Sequence, residues 1–172
     1  MNRLTDYRFS SLIQAGLRLI PSVVADQLRH VHFFTGTDPI YAGLFTDEDT
    51  GDGRSYRDTW CHCSPHHLAR LPKALRQTTI VMPSIQRGYP EEVLPALVVH
   101  ELGHALDDVL GWRHTPAPLT RYAKTNRCEA FADAFTLWCW PRYQDFYPII
   151  ATPEITARTL QDLEHALAGR AN

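Results

Sequence analysis

Two histidines and a glutamate stand together at His100-Glu101-Leu102-Gly103-His104. Side chains four positions apart on a helix project from one face, so both imidazoles reach a single ion while Glu101 stands beside it without ligating. Zinc accepts imidazole nitrogen and carboxylate oxygen, and three protein ligands leave a fourth position for water. The ion lowers the pKa of that water toward about 7, Glu101 accepts its proton, and the hydroxide attacks a carbonyl that the ion also polarises. The expected chemistry is hydrolysis of peptide bonds with one Zn2+ ion as cofactor. A structural zinc site would need a fourth side chain, and such sites are mostly cysteine-rich.

The third ligand must come from elsewhere, and the segment Asn126-Arg127-Cys128-Glu129-Ala130-Phe131-Ala132-Asp133 offers it. Glu129 and Asp133 share a helix face. Glu129 would complete the metal set, and Asp133 would accept a hydrogen bond from the far nitrogen of a ligating histidine, fixing its tautomer. The alternative for Glu129 is a capping box with Asn126, three residues earlier. Ala130 and Ala132 would let helices approach closely.

These residues need elements to hold them. Val93, Leu97, Val98, Leu102, Ala105, Leu106 and Val109 form an apolar stripe at helical spacing, closed by Gly111 as a stop signal. A second helix is expected from about Asn126 to Trp140, with Phe131, Ala134, Phe135 and Trp138 inward. A third is announced by Thr152-Pro153-Glu154 and continues to about Leu167. Upstream, Leu12, Ile13, Leu17 and Ile20 read as a helix stopped by Pro21, with a short helix from Ser22 to Leu28. The middle third reads as strands: His32 to Phe34, Ile40 to Phe45, Asp58 to Cys63 and Thr78 to Met82, with a helical pattern at Leu68, Leu71 and Leu75. The expectation is therefore one α+β domain over 1–172: N-terminal helices and a small mixed sheet over about 1–90, an active-site helix over 91–111 and a C-terminal helical part over 112–172.

At 172 residues, 44% hydrophobic and 10% aromatic, the chain is long enough for one packed core. A net charge of -2 supplies no field that would draw it onto nucleic acid or an anionic membrane, so neither is an expected partner. Met1 to Asp26 interleaves charges with apolar positions, without the apolar run of a signal peptide or membrane span, which predicts cytoplasmic synthesis, later export by another route aside. The four cysteines, at 61, 63, 128 and 139, make no disulfide framework and are expected as free thiols. Cys61-His62-Cys63 with His66 and His67 has poor spacing for a second metal, because neighbours on a strand face opposite ways. Asp107 and Asp108 would sit late in the active-site helix, where carboxylates are usually solvated. The acidic run Asp47-Glu48-Asp49 with Asp52 lacks a full calcium-loop pattern.

The run Val99 to Asp108, followed by Leu119-Thr120-Arg121-Tyr122-Ala123-Lys124-Thr125-Asn126-Arg127-Cys128-Glu129-Ala130-Phe131-Ala132-Asp133-Ala134-Phe135, closely resembles the catalytic domain of anthrax lethal factor and its relatives. The clostridial Pro-Pro endopeptidases belong to the same group of gluzincin metallopeptidases. The resemblance covers roughly residues 78 to 140 and implies a zincin-like fold. It also implies that Tyr122, seven residues before the glutamate ligand, stabilises the oxyanion. Asp133 stands where the toxin carries a glutamate. The family further implies a polypeptide substrate bound extended along an edge strand, for which Tyr41 to Phe45 is the candidate and Thr79 to Met82 the neighbouring core strand. The toxin's receptor-binding and docking domains have no counterpart in the sequence. Two other functions stay open: a regulatory HExxH peptidase that cuts one partner protein, and a zinc-binding module without catalysis.

Overall fold

Proline separates the first two helices. In the computed structural model, which describes residues 7–35, 62–64, 78–82 and 90–168, α1 (Tyr7–Leu17) gives way to Pro21, whose fixed φ starts α2 (Ser22–Gln27). Three short strands follow: β1 (His32–Thr35), β2 (His62–Ser64) and β3 (Thr79–Met82). β3 lies between the others, parallel to β1 and antiparallel to β2. The register aligns Phe33, Ile80 and Cys63 in one row, and this row packs on the main core, with Ile80 fully buried.

The expectation of an α+β fold with a small mixed sheet as a major layer is corrected by these proportions. The described residues are mostly helical, and the three strands hold four, three and four residues. The frame is made of helices. Of the expected strands, Ile40 to Phe45 and most of Asp58 to Cys63 lie outside the described residues, as does the helical pattern at Leu68 to Leu75.

The centre is α3 (Leu94–Val109), entered through a 3-10 turn at Glu91–Val93 with Pro95 in its first turn. Leu94, Val98, Val99, Leu102, Ala105 and Leu106 are buried in one cluster with Leu12, Val24, Ile80, Phe131 and Phe135. Each of the leucines, valines, isoleucine and phenylalanines contributes about 1.5–3 kcal/mol by leaving water, so the stripe secures the helix that carries the histidines. Gly111 ends it at φ 72°: its N–H donates to the Asp108 carbonyl, and the Trp112 N–H to the Asp107 carbonyl. This is the Schellman arrangement, in which glycine takes the left-handed position without a Cβ penalty.

α4 (Arg127–Cys139) packs along α3, and α5 (Pro153–Ala168) packs on α4. Thr152 starts α5 by accepting from the Ile155 N–H. Its buried residues Leu163 and Leu167 join the main cluster. Among the described residues no helix is long and apolar enough to cross a membrane.

Candidate metal centre

The absence of a side chain at Gly103 lets two helices meet. A Cβ there would lie 2.9 Å from Ala132 Cα and 3.2 Å from Phe135 Cδ1, so α4 sits against the backbone of α3 next to His104. Asn126 fixes the start of α4: extended at φ -165°, its side-chain oxygen accepts from the Glu129 N–H at 2.9 Å. Asn126 thus makes its half of a capping box, while the Glu129 carboxylate turns to the histidines. Glu129 Oε2 is 2.9 Å from His100 Nε2 and 3.5 Å from His104 Nε2.

The three ligand atoms all lie within 4.8 Å of one another, and the two imidazoles meet edge to face at 5.0 Å between centroids. Tetrahedral ligands about 2.0–2.1 Å from zinc are roughly 3.3 Å apart, so the two carboxylate distances bracket the required spacing. Two imidazole nitrogens and one carboxylate oxygen are a donor set that suits zinc. The residues fit the ion.

Behind His100, Nδ1 lies 3.2 Å from Asp133 Oδ1. Asp133 is completely buried, and its carboxylate also accepts from the Tyr143 hydroxyl at 2.8 Å and from the Thr120 hydroxyl. A carboxylate at that depth needs such donors to offset its lost hydration. The approach of His100 Nδ1 to Asp133 is a charge contact without hydrogen-bond alignment, and a proton on Nδ1 facing Asp133 would leave Nε2 as the ligating nitrogen.

Electrostatics follow from this arrangement. Burial works against a charged His100, but the Asp133 carboxylate against Nδ1, the hydrogen bond to Glu129 and the nearby Glu101 charge outweigh it, raising His100 to about 10. Burial likewise works against an ionised Glu129, yet its bonds to His100 and His104 hold it well below the ordinary carboxylate range. Both shifts favour an imidazolium–carboxylate pair in the metal-free site.

Glu101 is buried at 7% exposure, one residue from His100. Tyr122 stands in a 3-10 turn, Tyr122–Lys124, 39% exposed, with its ring 5.8 Å from that of His100. All six site residues expected from the sequence, His100, Glu101, His104, Tyr122, Glu129 and Asp133, therefore lie on or beside the interface of α3, α4 and this turn.

Asp107 departs from the expectation of a solvated carboxylate. It is fully buried and takes a two-pronged hydrogen bond from Arg127, which also donates to the His114 carbonyl and lies over the Trp112 ring at 5.3 Å. Burial raises the Asp107 carboxyl above its ordinary value, although Arg127 pulls it down. Asp108 accepts from the Trp112 indole N–H at 3.0 Å. Cys63 is a half-buried free thiol, raised well above its ordinary value by burial and then by the charges of Glu101 and Asp108. Cys61, His66, His67 and the Asp47 run lie outside the described residues, as does Tyr41 to Phe45.

Thr120 and Tyr143 are the functional residues that sequence reading missed. Thr120 lies two residues before Tyr122, but nothing in its spacing indicates its partner. Tyr143 follows α4 in a 3-10 segment, Pro141–Asp145, and carries no sequence signal of its role. Neither a family model, a curated protein nor a solved structure matches the chain.

Proposed function

We propose that the chain is a zinc-dependent endopeptidase of the gluzincin type, acting on extended polypeptide. The single observation that carries this reading is the Glu129 carboxylate seated against both His100 and His104, with Glu101 buried beside them. His100 and His104 would hold zinc through Nε2, and Glu129 through Oε2. Zinc, when bound, supplies the Lewis acidity that activates water and polarises a carbonyl.

The chain's own residues do the rest. Asp133 keeps His100 oriented and its Nδ1 protonated. Glu101, out of bulk solvent, takes the proton from the attacking water and returns it to the leaving amine. Tyr122, exposed at the edge of the site, donates its phenol hydrogen to the carbonyl oxygen as negative charge develops there. Main-chain pairing would hold the substrate extended, since it recognises polypeptide without needing particular side chains.

The test is a peptide library incubated with zinc-loaded protein. Metal-dependent cleavage by the parent, lowered at least about 100-fold in Glu101→Gln with zinc retained, is the expected result. Cleavage confined to one partner protein would narrow the reading to a regulatory peptidase. Stoichiometric zinc with no turnover on peptides or on denatured proteins would contradict catalysis and leave a zinc-binding module.

A further inference from the structure

Thr120 is buried, at 4% exposure, in the loop that joins α3 to α4. Its hydroxyl makes two bonds of opposite sense. It donates to Asp133 Oδ2, and it accepts from the Ala123 N–H at 3.1 Å. A hydroxyl carries one proton and two lone pairs, and an ionised carboxylate only accepts, so the directions are fixed. Ala123 is the middle residue of the turn Tyr122–Lys124.

The contacts close a ring. Thr120 holds Asp133, Asp133 lies against His100 Nδ1, the His100 ring neighbours Tyr122, and the turn carrying Tyr122 hangs on Thr120. We propose that Thr120 is a positioning residue that couples the orientation of the metal ligand His100 to the placement of Tyr122. What the coupling serves rests on the metallopeptidase reading. Tyr143 supports the same carboxylate through its other oxygen, Oδ1, from the 3-10 segment that follows α4. Losing Tyr143 should therefore disturb the ligand and spare the turn, whereas losing the Thr120 hydroxyl should disturb both.

The full-length chain is prepared as Thr120→Val, Thr120→Ser and Tyr143→Phe. Two quantities are read: amide hydrogen exchange at Ala123 by NMR in chelator-treated protein, and zinc Kd by competition with a chromogenic chelator. Thr120→Val is expected to speed Ala123 exchange and to weaken zinc, each about tenfold. Thr120→Ser keeps both within about twofold of the parent, because the hydroxyl remains. Tyr143→Phe weakens zinc about tenfold and leaves Ala123 exchange unchanged.

Unchanged exchange or unchanged zinc affinity in Thr120→Val overturns the coupling. Should the valine variant not fold, the other two decide. A serine variant that matches the parent on both readouts, beside a phenylalanine variant that moves zinc alone, supports it; a serine variant that loses either readout overturns it. A parent that binds no zinc defeats the metallopeptidase reading and the coupling with it. A parent that binds zinc with an affinity indifferent to Thr120→Val defeats the coupling alone.

Discussion

His100 is favoured in its protonated form by the carboxylates around it in the metal-free protein, so a zinc ion taken up at Nε2 would displace a proton. Its pKa is raised from 6.5 to about 10, so its pairing stabilises the metal-free fold fully below 6.5 and loses that contribution as pH rises through about 10. Glu129 is depressed from 4.5, so its contribution is present above 4.5 and is lost as pH falls toward its lowered value. The pair therefore stabilises the chelated protein most between about 4.5 and 6.5. Denaturant midpoints measured with chelator present should decline from pH 6.5 toward 10, and a His100→Phe variant should lose that slope. Zinc affinity should run the opposite way, rising about tenfold per unit between about pH 7 and 9 as one proton leaves. Calorimetry in buffers of different ionisation enthalpy would count that proton, and a count near zero would contradict the protonated pair. His100, Glu101 and His104 were legible because local helical spacing alone defines their face. Glu129 and Asp133 were legible by the same rule, and Asp133 reached its role from a buried position that spacing does not reveal. Thr120 and Tyr143 were not legible, because their bond to Asp133 spans irregular chain.

At the scale of elements, the α3–α4 crossing sets the distance from Glu129 to the histidines. Gly103→Ala gains about 1 kcal/mol of helix propensity. Its Cβ would sit 2.9 Å from a backbone carbon that cannot rotate away, and overpacking of that kind costs about 1–3 kcal/mol. A net loss of about 1 kcal/mol in denaturant unfolding is expected, with weaker zinc binding because the helices must part. Unchanged zinc affinity would show that the crossing tolerates more room than its geometry implies. The second tie is Arg127–Asp107, which joins the end of α3 to the start of α4 two residues before Glu129. Arg127→Met strands a buried carboxylate and should cost about 3 kcal/mol, whereas Arg127→Met with Asp107→Leu should recover part of it, as a double-mutant cycle would show. The helix boundaries were largely written in local signals: Gly111, Asn126 and Thr152-Pro153 each mark an end within a residue or two. The Asp107 pairing was not, since its partner lies twenty residues on, and a late-helix aspartate ordinarily faces water.

At the scale of the whole molecule, the misread feature was the weight of the sheet. Runs such as His32-Phe33-Phe34 and Thr79 to Met82 do form strands, but a β-branched or aromatic run of four residues says nothing about how far a sheet extends. The described residues are instead a helical body, in which α1 and α4 pack on α3, α5 packs on α4, and one face of α3 is left for the metal ligands. Because the ligands come from two helices, zinc should bind the folded chain and stabilise it by mass action, about 2.7 kcal/mol at a free concentration of 100 Kd. For a chain of this size that corresponds to a rise in Tm of roughly 5–10 °C over chelated protein, and thermal unfolding with and without chelator measures it. The most direct measurement of the central claim is a zinc-soaked crystal examined for anomalous scattering. One peak about 2.0–2.1 Å from His100 Nε2, His104 Nε2 and Glu129 Oε2 is the predicted result. No peak there, or an ion that leaves Glu129 uncoordinated, would contradict it.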